Sequence, residues 1–154
     1  MSERMRTAEG GFNLIEIIVA MAVVAAAIAI AFPMLNSAPQ NLGADLQDFA
    51  LNLQVARELG ISRTEHYRVR VFTSTPPYAY AIEGFNGTQW NTERTITLRP
   101  NVVFDAGTLG KVAEFDTRGS LVSAAPPVAF TLRDNARGWT KQVTVNAVGM
   151  VDRP

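Results

Sequence analysis

The chain has no cysteine, which excludes disulfides, thiolate nucleophiles and cysteine-ligated metals and is compatible with either redox compartment. It has a single histidine, His66, beside Glu65 in a stretch that reads as an exposed turn between a helix and a strand. No zinc motif, glycine-rich phosphate loop or nucleophile–base pairing is present. The carboxylates Asp45, Asp48, Asp105, Glu114 and Asp116 lack the spacing of a calcium loop. Neither an enzyme nor a metal or cofactor site is expected. An excess of one charge is missing too, since 14 Lys and Arg balance 14 Asp and Glu. Setting aside Arg4 and Arg6 on one side and Glu3, Glu9 and Glu16 on the other leaves 12 cations against 11 carboxylates in residues 34–154. Bulk charge therefore does not select nucleic acid or acidic lipid.

What the chain does have is a long apolar run. Ile17 to Phe32 reads IIVAMAVVAAAIAIAF, and after Glu16 the next charge is Asp45. An apolar helix from Phe12 to Pro33 rises about 33 Å at 1.5 Å per residue, against a hydrocarbon core of roughly 30 Å. Arg4 and Arg6 precede it, and basic flanks stay in the cytoplasm, which sends everything after Pro33 to the other side. With 154 residues, 47% of them apolar, the remainder suffices for one compact head.

Beyond the run, Leu42, Leu46, Phe49, Leu53 and Ala56 recur at spacings of 4, 3, 4 and 3, one apolar stripe on a helix ending near Gly60. Asp45, Gln47, Asp48, Asn52 and Glu58 fall on its other faces. Pro33 and Pro39 each remove a backbone donor and clash with the carbonyl four residues earlier, so a kink or break is expected there, with a hinge near residues 33–38. Ser37-Ala38-Pro39-Gln40 also reads as a capping box. After Ser62 come short β-type runs: 67–72, 78–82, 95–98, 102–104, 112–115, 128–132 and 142–148. Turn signals separate them at Pro76-Pro77, Asn86-Gly87, Ala106-Gly107, Arg118-Gly119 and Pro126-Pro127. The alternation of Tyr67-Arg68-Val69-Arg70-Val71 suits an antiparallel sheet with one wet face. The fold class is α+β: a long N-terminal helix, its first half transmembrane, packed on a small antiparallel β-rich head.

One carboxylate interrupts the apolar helix. A lone acidic side chain at the centre of a spanning helix costs about 2.5 to 3.5 kcal/mol on insertion scales, so Glu16 needs compensation. Four residues earlier, Phe12 becomes a free amine if the chain is cut after Gly11. In an array of staggered helices a neighbour's amine could offset the desolvation of Glu16. Two other processing schemes stand beside this one: a secretory signal cut after Ala29-Ile30-Ala31, and an uncleaved single-pass anchor. The three give mature N-termini at Phe12, Phe32 and Met1.

Gly10-Gly11-Phe12-Asn13-Leu14-Ile15-Glu16, followed by the apolar helix, resembles the class III signal of type IV pilins and type II secretion pseudopilins. The resemblance implies that a membrane prepilin peptidase removes residues 1–11 as a cytoplasmic leader and methylates the Phe12 amine. It implies Glu16 as the self-assembly glutamate and Pro33 as the helix-kinking proline. Residues 12–35 are then the transmembrane and assembly helix, 36–60 its second half packed on the head, and 61–154 the β-rich extracytoplasmic head. The implied partners are other pilin or pseudopilin subunits, the peptidase, an inner-membrane assembly platform, and membrane lipid before assembly. The implied location is the inner membrane with a periplasmic head, then a filament.

Ala56-Arg57-Glu58-Leu59-Gly60-Ile61-Ser62-Arg63, Phe115-Asp116-Thr117-Arg118-Gly119 and Val148-Gly149-Met150-Val151 are similar to H-type pseudopilins and FimT-like minor pilins. Gly60 also reads plainly as a helix C-cap, and Gly119 and Gly149 as turn glycines. Some FimT-like proteins are DNA-uptake receptors with a basic motif after the final glycine. Here that position carries Arg153 beside Asp152. The alternative to a structural subunit is thus a filament-displayed module binding DNA or a secreted substrate, with Arg57, Arg63, Arg68, Arg70, Lys141 and Arg153 as candidate nucleic-acid contacts.

Overall fold

The computed structural model describes residues 14–72, 78–122 and 125–153, and for residues 30–40 the backbone alone. It divides into two compact units, residues 1–37 and 38–154. Helix α1, Leu14–Arg63, contributes to both. The strands are β1 (His66–Val71), β2 (Ala79–Phe85), β3 (Trp90–Thr97), β4 (Val102–Phe104), β5 (Val112–Phe115), β6 (Val128–Asp134), β7 (Thr140–Val145) and β8 (Val151–Asp152), with a 3-10 turn at Ala106–Thr108.

In the first unit every described side chain from Leu14 to Ala29 is exposed, including Leu14 at 75% and Met21 at 70%. Among the described residues no helix is long and apolar enough to cross a membrane. The described side chains stop at Ala29, and Ile30, Ala31 and Phe32 of the apolar run lie beyond them. Helical structure is assigned without interruption through Pro33 and Pro39, whose side chains fall outside the described set.

The second unit has its own core. Two antiparallel sheets, ordered β3-β2-β1-β5 (sheet A) and β4-β6-β7-β8 (sheet B), share it with the second half of α1. The apolar stripe reads through directly: Leu42, Leu46, Phe49, Leu53 and Ala56 are all buried. Phe49 meets Tyr80 of sheet A edge-on at 4.8 Å, and Phe104 and Phe130 of sheet B at 5.5 and 5.1 Å. One helical aromatic therefore touches both sheets in the arrangement that ring quadrupoles favour. In β1, Tyr67, Val69 and Val71 are buried in that core while Arg68 and Arg70 alternate to the outer face of sheet A.

Two local expectations are corrected. The helix runs past Gly60 to Arg63. The left-handed residue after it is Thr64, at φ 56°, and the Glu65 N–H donates to the Gly60 carbonyl at 3.3 Å, which closes a Schellman-type cap. Glycine at position 60 instead eases a close approach, because a Cβ there would lie 3.1 Å from the Asp116 carbonyl oxygen. Asp45, placed by periodicity away from the stripe, is 4% exposed. The chain after β3 folds over that flank of α1, and the Arg99 backbone N–H donates to the Asp45 carboxylate at 2.9 Å.

Candidate functional site

Gly11 and Phe12, the proposed cleavage pair, lie outside the described residues. Glu16 is described, within the first turn of α1 and exposed like its apolar neighbours. The kink positions Pro33 and Pro39 lie outside the described side chains.

The six candidate nucleic-acid contacts do not form one patch. Arg57 on α1 donates from Nε to the Gly119 carbonyl at 2.9 Å. Arg63 pairs with Glu93 and donates to the Tyr67 hydroxyl. Arg68 and Arg70 do come together, but on Glu83, a carboxylate 2% exposed that lies on the outer face of sheet A. Lys141 is an exposed residue of β7 in the other sheet, and Arg153 is exposed beyond β8. Four of the six, Arg57, Arg63, Arg68 and Arg70, thus have partners within the head.

Three segments far apart in the sequence meet at Arg57. The turn after β5 is tied by Asp116, whose carboxylate accepts the Arg118 and Ser120 N–H groups at 2.9 and 2.8 Å. The turn between β7 and β8 is tied the same way by Asn146, which accepts from Val148 and Met150 at 3.1 and 2.9 Å. Both turns need a positive φ, 77° at Gly119 and 76° at Gly149, which glycine adopts without steric cost. They also press on each other: a Cβ on Gly149 would lie 1.9 Å from the Gly119 carbonyl oxygen, and a Cβ on Gly119 would lie 2.6 Å from Ile61 Cδ1. The two glycines read separately as turn formers are one junction, locked to α1 by the Arg57 bond.

Burial sets the electrostatics of the head. Desolvation pushes Asp45 above the usual carboxylate range, even though the Arg99 backbone N–H and guanidinium act in the other direction. Burial likewise pushes the Tyr80 hydroxyl up to about 12, against a hydrogen bond from Asn52. Glu83 has the opposite outcome. Desolvation raises it, but hydrogen bonds from Arg70 and Arg68, with their charges, outweigh that and hold it below the usual range. His66, read as an exposed turn residue, is the half-buried first residue of β1, with Nδ1 2.9 Å from Glu114 Oε1. Among the described residues no three His, Asp or Glu side chains converge as metal ligands.

An N-terminal helix whose second half packs on two small antiparallel sheets is a pilin-like fold. Solved structures with that fold bear this out. The type IV minor pilin FimU of Pseudomonas aeruginosa superposes with a TM-score of 0.61 at 14% identity, over 75% of this chain and 90% of that one. The minor pseudopilin EpsH from the type 2 secretion system of Vibrio cholerae gives 0.56 at 13% identity, over 74% and 96%. No protein-family model and no curated protein sequence matches the chain.

Proposed function

We propose that this chain is a minor subunit of a type IV pilus or a type II secretion pseudopilus, assembled through its N-terminal helix. The observation that carries this reading is the exposed apolar surface from Leu14 to Ile28, interrupted by one carboxylate, Glu16, on the helix that leads into a pilin-like head. A surface of that extent has to be covered. Inner-membrane lipid covers it before assembly, with the head in the periplasm, and neighbouring subunits cover it in the filament. Cleavage after Gly11 by a prepilin peptidase supplies the Phe12 amine that offsets Glu16 when the helices pack. Pro33 and Pro39, each without a backbone N–H to donate, are the points at which this helix would kink. The role is mechanical: subunits added at an inner-membrane platform extend the filament, and no step is catalytic.

The test is Glu16→Ala, followed by membrane fractionation and recovery of sheared filaments from a host carrying the assembly system. Retained membrane insertion with lost assembly is the expected result. Filaments that incorporate the variant as well as the natural chain would sink the reading.

A further inference from the structure

On the outer face of sheet A, at one end, each of its four strands contributes one side chain to an open pocket of about 330 Å³: Trp90 from β3, Phe85 from β2, His66 from β1 and Glu114 from β5. The register makes this a row, with Phe85 opposite both Trp90 and His66, and Glu114 opposite Arg68, the residue two along from His66. We infer that this pocket binds the ring of a neutral, hydroxylated ligand, that is, a sugar. The inference does not depend on the filament reading.

The aromatic wall is built in advance. Trp90 and Phe85 meet at 5.2 Å with their planes 45° apart. The Arg68 guanidinium sits 4.0 Å from the centre of the Trp90 ring, and its Nε is tied to the buried Glu83 carboxylate at 2.6 Å. Arg68 over one face and Phe85 beside it thereby hold the Trp90 ring in place before binding, which lowers the ordering cost. The polar rim is also oriented. His66 Nδ1 and Glu114 Oε1 engage each other, leaving imidazole Nε2 and Glu114 Oε2 with no hydrogen bond among the described residues.

Charge selects the ligand class. Arg68 and Arg70 are matched in number by Glu83 and Glu114, so guanidinium and carboxylate charges balance around the pocket. An anion would face Glu114 and a cation would face Arg68. A sugar presents an apolar C–H face to the rings and hydroxyls to the carboxylate and imidazole, which is the mixture of one apolar wall and a few placed polar groups that small-molecule pockets share. The volume lies near the lower end of such pockets, roughly 300 Å³, and fits one ring.

The chain has two tryptophans, so Trp139→Phe, an exchange at an exposed site, leaves Trp90 as the sole reporter. The full chain carrying that change, in a sugar-free zwitterionic detergent, is titrated with methyl glucoside and N-acetylglucosamine. Sorbitol, which has the hydroxyls and no ring, is the comparison. A saturable change in Trp90 emission with a ring sugar, half-complete on the order of 1 mM as for a small ligand, and absent with sorbitol, is expected. Glu114→Gln in the same background should raise the half-saturation about tenfold, the loss of one charge-assisted bond, with an unchanged melting curve. No saturable change up to about 100 mM, an equal response to sorbitol, or saturation by sulfate or tetramethylammonium instead would each overturn the inference.

Discussion

Replacing Glu83 by Gln tests the electrostatic core of the head. The carboxylate accepts from Arg68 Nε at 2.6 Å and from Arg70 Nη2 at 2.6 Å, with Arg70 Nε at 3.1 and 3.2 Å and the Thr92 hydroxyl at 3.4 Å. Gln keeps the shape but turns one oxygen into a donor facing guanidinium N–H groups. Breaking a fully buried pair costs about 3 to 5 kcal/mol. Here the Arg68 and Arg70 side chains are 20% and 41% exposed and can turn to water, so about 2 kcal/mol is expected at pH 7. With a urea slope of about 1–3 kcal/mol/M the midpoint should fall by roughly 1 M. The assay is urea unfolding of a form beginning at Ala38, which contains the whole core. The pH dependence has a definite sign. The folded carboxyl is held below its ordinary value, so on acidification the unfolded chain takes the proton first. The stabilisation is complete above the ordinary glutamate value of about 4.3 and fades as pH falls through the lower folded value. The gap between natural chain and variant should therefore be widest near neutrality and close in acid. A gap under about 0.5 kcal/mol at pH 7, or one that does not change with acidification, would refute the argument.

Asp45 should behave in the opposite sense. Its folded carboxyl lies above the ordinary range, so its ionisation opposes folding as pH rises from the unfolded to the folded value, and Asp45→Asn should gain on the natural chain over that rise. Urea midpoints at several pH values measure this, and a constant difference would contradict it. Gly149→Ala should cost more than about 3 kcal/mol, since a left-handed alanine alone costs about 1–2 and the added Cβ also forces two turns apart. Gly138→Ala, with φ 70° and nothing within 4 Å of the added Cβ, should cost only about 1–2 kcal/mol. Equal melting losses for the two would remove the junction from the account.

The parts of this fold legible in the sequence are those written in local periodicity. The stripe from Leu42 to Ala56 and the runs Val102–Phe104 and Val112–Phe115 stand in the structure where the pattern puts them. Strand β3 was legible only at its end, because Asn91 to Thr95 are exposed and an edge strand open on both faces has no alternation to read. The last long strand stops at Val145 instead of Val148, since Asn146 uses its side chain to start a turn. What no local pattern carries is contact between distant segments. The burial of Asp45 depends on Arg99, the pressure of Gly149 on Gly119 spans 30 residues, and the Trp90 pocket takes one residue from each of four strands. In the N-terminal constellation the reverse holds: its meaning comes from the order of Gly11, Phe12 and Glu16 along the chain, with no tertiary contact required.

The most direct measurement is the N-terminal sequence and intact mass of the protein extracted from membranes of a host with an active prepilin peptidase. A chain that begins at Phe12 and carries one methyl group on its amine is the predicted result. A chain that begins at Met1 would leave Glu16 without the amine that makes its burial among packed helices tolerable, and one that begins at Phe32 would have lost Glu16 altogether; either would contradict the account.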